Sequence, residues 1–354
     1  MSIRDPQCHH DPNKDRLTPL KPLDLSAITT MDELLQGYGN TAFGARRLGE
    51  GADVLEAMVR DPDCFTVLTL SGAMTVAKMG LVICEMIDRG YIDAIISTGA
   101  LMTHGLVESA GYHHYKAPDE ANDKQLFEQG YNRVYDTLEP EINLDRVEKI
   151  VQTVLEGDQL PEILSSRTLS HAIGQQLHIT HPHGRGPLIS AYRRKVPIYI
   201  PALTDSELGL DIAVHNHRLR KAGNDPLRYD PFLDLDDYAR RAQQAKRLGI
   251  MTIGGGVPRN YAQQVGPYLE IRAHRSGEKN AKPVRFQYGL RICPEPDHLG
   301  GLSGCTYREG ISWGKFIPPD EGGRFAEIFS DATIAWPLLV KAVMERIPFK
   351  TQAT

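Results

Sequence analysis

The chain has 354 residues, of which 41% are hydrophobic and 24% are charged, and its net charge is −5. These values are ordinary for a globular protein with a sizeable core, and the acidic balance gives no reason to expect nucleic acid or a membrane surface as a partner. The five cysteines include no CxxC pair, so we expect reduced thiols and a cytoplasmic protein. No apolar run approaches the roughly 18 residues of a membrane span, and the N-terminus lacks the apolar core of a signal peptide.

The first part of the chain changes from an irregular arm to alternating strands and helices. Residues 1–25 are charged and rich in proline, which predicts an arm ahead of one domain at 26–350. The apolar run "FTVLTL" (65–70) predicts a buried strand, residues 76–90 predict a helix that ends at a glycine, and 91–97 predict a second strand. A further helix is predicted at 145–157, with Gly157 just past its end.

The second part continues this alternation. Residues 195–203 predict a strand, and the helix predicted at 236–249 leads into another strand at 250–253. A late strand is predicted at 283–292, and a final helix at 332–347 has Ser330 or Asp331 as its N-cap. Because strands alternate with helices, we expect an α/β fold with a doubly wound, mostly parallel sheet and helices on both faces.

Small residues follow three of the predicted strands. The segments are "SGAMT" (71–75), "STGALMTH" (97–104) and "GGGVPRN" (254–260). None of them matches G-x-G-x-x-G or the P-loop, but together they favour a nucleotide-like ligand at the carboxyl ends of the strands. Asp205 follows a predicted strand and Asp331 precedes the last predicted helix, and either carboxylate could accept hydrogen bonds from a ribose. Equally, Asp205 could be an ordinary turn residue and Asp331 a helix cap.

A lysine near the C-terminus stands in the sequence "GISWGKF" (310–316), two residues after one of the two tryptophans. Lys315 could be an ordinary surface lysine beside a buried indole. Alternatively, an apolar pocket could lower the pKa of its amine and make it nucleophilic. Local chemistry alone leaves both interpretations open.

In chain order, the segments "SGAMT", "STGALMTHGL", "PALTDSELG", "GGGVPRN", "EGISWGKF" and "SDAT" resemble the deoxyhypusine synthase family, from about residue 35 to 345. Within this family, the sequence resembles the bacterial deoxyhypusine synthase-like and homospermidine synthase-like branch. The resemblance implies a Rossmann-like fold, bound NAD, polyamine substrates, and a homotetramer of tight dimers whose active sites lie at the dimer interface. It also implies aminoalkyl transfer through an imine on the lysine of "SWGK".

The resemblance assigns roles to residues at matching positions. Lys315 would be the catalytic nucleophile. The residues implied to bind NAD are Ser71, Gly72, Ala73, Met74, Thr75, Thr98, Gly99, Ala100, His104, Asp205, Asp331 and Ala332. The residues implied to bind the polyamine are Gly255, Asn260, Glu309, Trp313 and Asp211. His104 stands where eukaryotic members of the family carry a glutamate.

Several substrate positions depart from those of the protein-modifying members. Asn260 replaces a histidine, Leu210 replaces an aspartate with Asp211 one step on, and Gly300-Gly301-Leu302 replaces a Gly-Ser-Asp element. Since the cofactor positions and the lysine persist, we expect a free diamine as the acceptor, with putrescine or spermidine as the donor. The alternative is deoxyhypusine synthase proper, which transfers the aminobutyl group of spermidine to a lysine of a translation factor.

Two other hypotheses are less favoured. The histidines at 113–114, 178–183 and 215–217 could bind a metal, but "HPH" beside Gly and Pro predicts a loop, so we expect no metal site. The protein could also be a paralogue that binds NAD or polyamine and regulates without catalysis. The presence of Lys315 and Glu309 argues against this, because such a protein would have no need for either.

Overall fold

A six-stranded parallel sheet forms the centre of the computed structural model, which describes residues 9–278, 282–347 and 349. The strands among these residues are β1 (Cys64–Leu70), β2 (Ala94–Ser97), β3 (Tyr115–Lys116), β4 (Tyr131–Val134), β5 (Thr137–Pro140), β6 (Ile163–Leu164), β7 (Ile198–Tyr199), β8 (Arg228–Tyr229), β9 (Arg247–Ile253), β10 (Phe286–Ile292) and β11 (Arg324–Ile328). The central sheet has the order β11-β10-β9-β1-β2-β7. A three-stranded antiparallel sheet, β3-β5-β4, and the short pair β6-β8 lie outside it.

Helices connect the strands. They are α1 (Met31–Gly39), α2 (Phe43–Arg60), α3 (Gly80–Asp88), α4 (Gly99–Ser109), α5 (Asp123–Glu128), α6 (Glu141–Leu155), α7 (Ser166–Thr180), α8 (Pro187–Arg194), α9 (Glu207–Lys221), α10 (Phe232–Gln244), α11 (Gly256–Gln263), α12 (Val265–Ser276), α13 (Tyr307–Ser312) and α14 (Ala332–Arg346). No helix among the described residues combines the length and apolarity needed to cross a membrane.

Two hydrophobic cores lie on opposite faces of the sheet. Leu68 and Leu70 of β1 pack into a core with α2, α3 and α14, whereas Val67 packs into a second core with α10, α11 and α12. This alternation follows from the two-residue period of a strand, and burial on both faces is typical of a parallel sheet. The predicted α/β, Rossmann-like, doubly wound fold in a single domain is therefore confirmed.

Most predicted elements are present, although several have different bounds, and three of these are instructive. The helix predicted at 236–249 ends at Gln244, because Arg247–Gly249 pair with β1 and already belong to β9. The helix predicted at 76–90 begins only at Gly80, since Lys78 has a left-handed backbone (φ 66°) that breaks the helical path. The strand predicted at 195–203 keeps only Ile198–Tyr199.

The predicted N-terminal arm is only partly covered, because residues 1–8, including Cys8, lie outside the described residues. Its described part contains a turn at 12–16, and a short 3-10 turn at Leu25–Ala27 spans the predicted boundary. The division into an arm at 1–25 and a domain at 26–350 stays a prediction.

Candidate active site

The strand order reverses between β1 and β9, and this is where doubly wound sheets form a ligand crevice. After β1 the chain turns toward the α3 face, and after β9 it turns toward the α11 face. Ser71 joins the two loops: its hydroxyl accepts from the backbone N–H of Gly255 at 2.9 Å and donates to the carbonyl of Ile253 at 3.2 Å. The predicted residues Ser71 and Gly255 are thus neighbours at the switch point.

Glycines allow both loops to turn sharply. Gly72 and Gly254 have φ of +76° and +78°, a region that disfavours other residues. A side chain on Gly255 would overlap the backbone of Ser303, so this glycine permits close packing of the segment that precedes α13. Gly255 was predicted to contact the polyamine, and its packing role needs no ligand.

The β2–α4 junction has an unsatisfied polar group. The hydroxyl of Thr98 is buried and has no hydrogen-bond partner among the described residues. No described side chain caps the N-terminus of α4, so its first N–H groups remain available, as a phosphate group would require. Gly99 lies against Ser206 and is fully packed, while Ala100 is half-buried. These features fit a dinucleotide phosphate.

The other predicted cofactor residues differ in exposure. Thr75 is buried, and its hydroxyl donates to the carbonyl of Leu101 at 2.8 Å, which ties the loop after β1 to α4. Met74 and Ala73 are half-buried beside it. Asp205 is exposed in a turn, and one carboxylate oxygen of Asp331 accepts from the N–H and hydroxyl of Thr333.

Asp331 therefore acts as the N-cap of α14, as the sequence predicted, and Ala332 is the buried first residue of that helix. The cap uses one oxygen of the Asp331 carboxylate. The other oxygen, on an exposed side chain, remains able to accept a hydrogen bond from a ribose.

Lys315 lies beside a cavity of about 280 Å³. The cavity is lined by Arg259, Asn260, Gln263, Gln264, Cys305, Glu309, Gly310, Trp313 and Lys315. Four residues with predicted roles therefore meet here: the nucleophile and three polyamine contacts. The Lys315 amine donates to the Oδ1 atom of Asn260 at 3.4 Å and lies 5.6 Å from the ring of Trp313.

The environment favours the neutral form of this amine. Only 8% of Lys315 is exposed, and burial is the main cause that lowers the pKa of the amine; the nearby positive charge of Arg259 lowers it further. Glu309 and Cys305 act in the opposite direction. The interpretation of Lys315 as an ordinary surface lysine is wrong, and it is Trp313 that is exposed, at 65%.

Two arginines that the sequence analysis did not single out support this cavity. Arg259 lies over the ring of Tyr307, and Arg291, fully buried on β10, donates to the carbonyls of Ser303 and Cys305. They fix the segment that leads into α13 and hence the position of Glu309. The triple glycine pointed to this region, but no local pattern distinguishes these arginines from surface ones.

A second cavity, of about 410 Å³, contains Asp211. Five carboxylates line it: Glu141, Asp145, Glu148, Glu207 and Asp211. Burial, together with the charges of Glu148 and Glu207, raises the pKa of Asp211 to about 6. Asp211 thus lies outside the cavity of Lys315 within one chain, and Leu210 is exposed beside it.

His104 belongs to a buried cluster that sequence reasoning missed. Its Nδ1 atom lies 3.0 Å from the carboxylate of Glu139, and His114 Nε2 lies 2.5 Å from the same oxygen. These three side chains bring potential metal-ligand atoms within 4.8 Å of one another. His178, His181 and His183 join no such group within the described part of the chain. The members of the cluster lie on α4, before β3 and on β5, so no local spacing reveals it.

Most of the predicted residues thus form two groups in a single chain, and Asp211 belongs to neither. The loops after β1, β2 and β9 meet at the switch point, whereas Lys315, Asn260, Glu309 and Trp313 meet at the cavity between α11 and α13. None of the predicted cofactor residues lines that cavity.

Comparisons with known proteins identify the family. The family model "Deoxyhypusine synthase" matches residues 33–343. The chain is 36% identical over 335 residues to "Probable deoxyhypusine synthase 1" of Methanosarcina mazei. This alignment covers 94% of this chain and 97% of the relative. It is 29% identical to "Deoxyhypusine synthase-like protein" of Chlorobaculum parvum, over 91% of this chain and 88% of the relative.

A solved structure agrees in fold. The crystal structure of a proposed deoxyhypusine synthase from Entamoeba histolytica superposes with a TM-score of 0.58 at 14% identity, and the match covers 91% of this chain and 96% of that one. At this identity the likeness concerns the fold alone. With the match to the family model and the archaeal relatives, the chain belongs to the deoxyhypusine synthase family of transferases.

Proposed function

We propose that the chain uses NAD and the amine of Lys315 to move an aminoalkyl group from a polyamine to a second amine. The observation that carries this proposal is the buried Lys315, whose pKa is lowered by burial next to Trp313 and Glu309. A nucleophilic amine needs its neutral form, and a cationic substrate needs a carboxylate and an aromatic surface. All three lie at one cavity.

NAD, which the family uses, would bind at the switch point. Thr98, the N-terminus of α4 and the free oxygen of Asp331 would hold it, and the unpaired Thr98 hydroxyl supports this placement. When bound, NAD⁺ would accept a hydride from a carbon beside an amine nitrogen of the donor, the secondary nitrogen in spermidine or a primary one in putrescine, and return it at the end of the reaction.

The chain's own residues then act on the donor. Glu309 pairs with an ammonium group of the polyamine, and Trp313 packs against its methylene groups. The Lys315 amine attacks the carbon of the oxidised donor, and the departing amine leaves the aminoalkyl group as an imine on Lys315. An acceptor amine then takes this group from the lysine.

For the acceptor we favour a free diamine, with putrescine or spermidine as the donor and homospermidine as a product. The support is the departure from the protein-modifying members at Asn260 and Leu210. The acidic cavity around Asp211 also suits a small polycation better than a folded partner.

A lysine of a translation factor is the second candidate acceptor. It is supported by the names of the relatives, because "Probable deoxyhypusine synthase 1" of Methanosarcina mazei is more similar to this chain than the "-like" protein of Chlorobaculum parvum, at 36% against 29% identity.

We also propose the homotetramer that the family resemblance implies, with each site completed by two chains. The exposed indole of Trp313 at the mouth of the Lys315 cavity supports an interface there. It would bring the cofactor loops of one chain to the lysine of its neighbour.

The test is incubation of the purified protein with NAD and putrescine, spermidine or agmatine, followed by mass spectrometry of the polyamines and of the protein. A polyamine larger than its precursors supports a free acceptor. Label that appears only on an added translation factor supports the second candidate. The absence of any transfer under all conditions would refute the function.

The Lys315→Ala variant tests the nucleophile. We expect it to lose transfer by about 10³-fold or more, because no amine remains to hold the group, while the donor still reduces NAD⁺ transiently. Absorbance at 340 nm follows that reduction. Lys315→Arg is the matched control: it keeps a cation but cannot become neutral, so it should fail as well.

A further inference from the structure

A continuous line of contacts joins Lys78, His114, Glu139 and His104. The Lys78 amine lies 2.9 Å from His114 Nδ1, and His114 Nε2 lies 2.5 Å from the Glu139 carboxylate. The same oxygen of Glu139 lies 3.0 Å from His104 Nδ1. His114 and Glu139 are buried, so water competes little for these contacts.

The lysine decides which nitrogen of His114 carries the proton. Lys78 is paired with Glu108 at 2.6 Å and is an ammonium, which can only donate. His114 Nδ1 must therefore accept from Lys78, so that Nε2 carries the hydrogen and donates to Glu139. A metal at this cluster would need that nitrogen bare, and the arrangement therefore favours a hydrogen-bonded chain over a metal site.

The carboxylate in turn decides the state of His104. Burial acts to raise the pKa of Glu139, but hydrogen bonds from His104, His114 and Asn143 outweigh it and hold the pKa at about 2. Glu139 is thus ionised and accepts from His104 Nδ1. In the neutral imidazole this contact places the hydrogen on Nδ1 and leaves Nε2 without one. This nitrogen has no partner among the described residues, and 16% of the side chain is exposed.

The position of His104 links the chain of contacts to the cofactor loops. His104 lies one turn beyond Ala100 on the same face of α4. Lys78 belongs to the loop after β1 and adopts a left-handed backbone conformation, which is unfavourable for a lysine. The hydrogen bond from Thr75 to Leu101 fixes that loop to α4, so the cluster and the loop are held as one unit.

We propose that His104 is a catalytic base of the transfer reaction, with Glu139, His114 and Lys78 as positioning residues. This rests on the proposed function. His104 Nε2 takes a proton from the donor's ammonium group beside the reacting carbon, and the freed lone pair forms the C=N bond as that carbon gives its hydride to NAD⁺. The imidazolium then returns the proton to the nitrogen that leaves when Lys315 attacks. Glu139 stabilises the transient charge on His104, as a carboxylate does in other histidine-based sites.

The first test reads the tautomers in the cofactor-free protein. ¹⁵N spectra of histidine-labelled protein, assigned with His104→Gln and His114→Gln, should show hydrogen on Nδ1 of His104 and on Nε2 of His114. In Lys78→Met, His114 should lose its preference for carrying the hydrogen on Nε2, whereas His104 should still carry its hydrogen on Nδ1. Hydrogen on Nδ1 of His114, or stoichiometric zinc that displaces its Nε2 hydrogen, would overturn the proposed chain.

The second test reads the chemistry. His104→Gln keeps a donor for Glu139 and should slow transfer by about 10²-fold or more at saturating NAD⁺, with calorimetry separating this loss from any change in NAD affinity. Added imidazole should restore part of the rate in His104→Ala, an effect that a purely structural role would not produce. A His104→Gln enzyme of normal rate, or a folded His104→Ala enzyme that imidazole leaves unchanged, refutes the base. If the wild type transfers nothing, the proposed function is refuted, and with it the role of His104 as a base. The tautomers can still be measured in that case, so the proposed chain of contacts is tested separately.

Discussion

At the scale of single residues, Lys315 shows how two opposing effects set the reactivity of an amine. Its burial and the neighbouring Arg259 favour the neutral form, whereas Glu309 favours the charged form. Because the side chain is 8% exposed, burial outweighs the carboxylate. A larger fraction of this amine is therefore neutral at a given pH than in an exposed lysine.

Asp211 provides a test of the pH dependence of stability. Its pKa is raised from 3.8 to about 6, so the folded state prefers the protonated carboxyl. The resulting stabilisation is fully present below pH 3.8 and is lost as the pH rises through about 6. Asp211→Asn should therefore melt about 1–2 °C higher than the wild type at pH 7.5 and at the same temperature at pH 4.

The control for this comparison is Asp205→Asn, which removes a carboxylate from an exposed turn. We expect it to leave the melting temperature unchanged at both pH values. An Asp211→Asn protein that is less stable at pH 7.5 would show that the carboxylate is stabilised by its surroundings. A loss of polyamine affinity in the more stable variant would explain why an unfavourable carboxylate is kept.

At the scale of elements, glycines at helix starts serve packing as much as ligand binding. A side chain at Gly99 would overlap Ser206, the N-cap of α9. Gly99→Ala should therefore destabilise the protein by about 1–3 kcal/mol, measured by urea unfolding. A methyl group at Gly44 in α2 would meet no atom within 4 Å, so Gly44→Ala should stabilise the protein by about 0.5–1 kcal/mol. Equal effects at the two positions would refute the packing argument.

The order of the elements could be predicted from sequence because apolar periodicity and terminal glycines mark them locally. Gly90 ends the turn after α3 with φ of +70°, and Asp331 caps α14 as predicted. The boundary between α10 and β9 at 244–247 could not be predicted, because "AKRLG" (245–249) continues a helical pattern. Only pairing with β1 makes Arg247–Gly249 a strand. Tertiary pairing there overrides local preference.

At the scale of the whole molecule, the separation of the predicted residues into two groups predicts that activity depends on assembly, as the proposed intersubunit site requires. A Lys315→Ala chain keeps intact cofactor loops, and an Asp205→Ala chain with Asp331→Ala keeps an intact Lys315 cavity. If the sites form between chains, mixing the two inactive proteins under conditions that exchange subunits should restore part of the transfer activity. Mass spectrometry of the polyamines measures it.

Each protein incubated alone is the control and should stay inactive. Mixed oligomers, verified by native mass spectrometry, that remain inactive would show that each chain builds its site alone.

The sequence predicted the members of the Lys315 cavity better than it predicted the electrostatics of the site. "SWGK" and "GGG" are compact segments whose resemblance to a family can be recognised. The contributions of Arg259, Arg291 and Glu139 depend on contacts between distant parts of the chain; Glu139, for instance, meets His104 across 35 residues. Such contacts follow from the fold, and a single sequence does not display them.

The two tryptophans stand in opposite environments, and this gives the protein a built-in optical reporter. Trp336, on α14, is fully buried in the hydrophobic core, whereas Trp313, next to Lys315, is mostly exposed to solvent. The emission of Trp336 should remain constant when small molecules bind, so quenching or a spectral shift on adding a polyamine would come from Trp313. Occupancy of the cavity could thus be followed without a label, before any chemistry takes place.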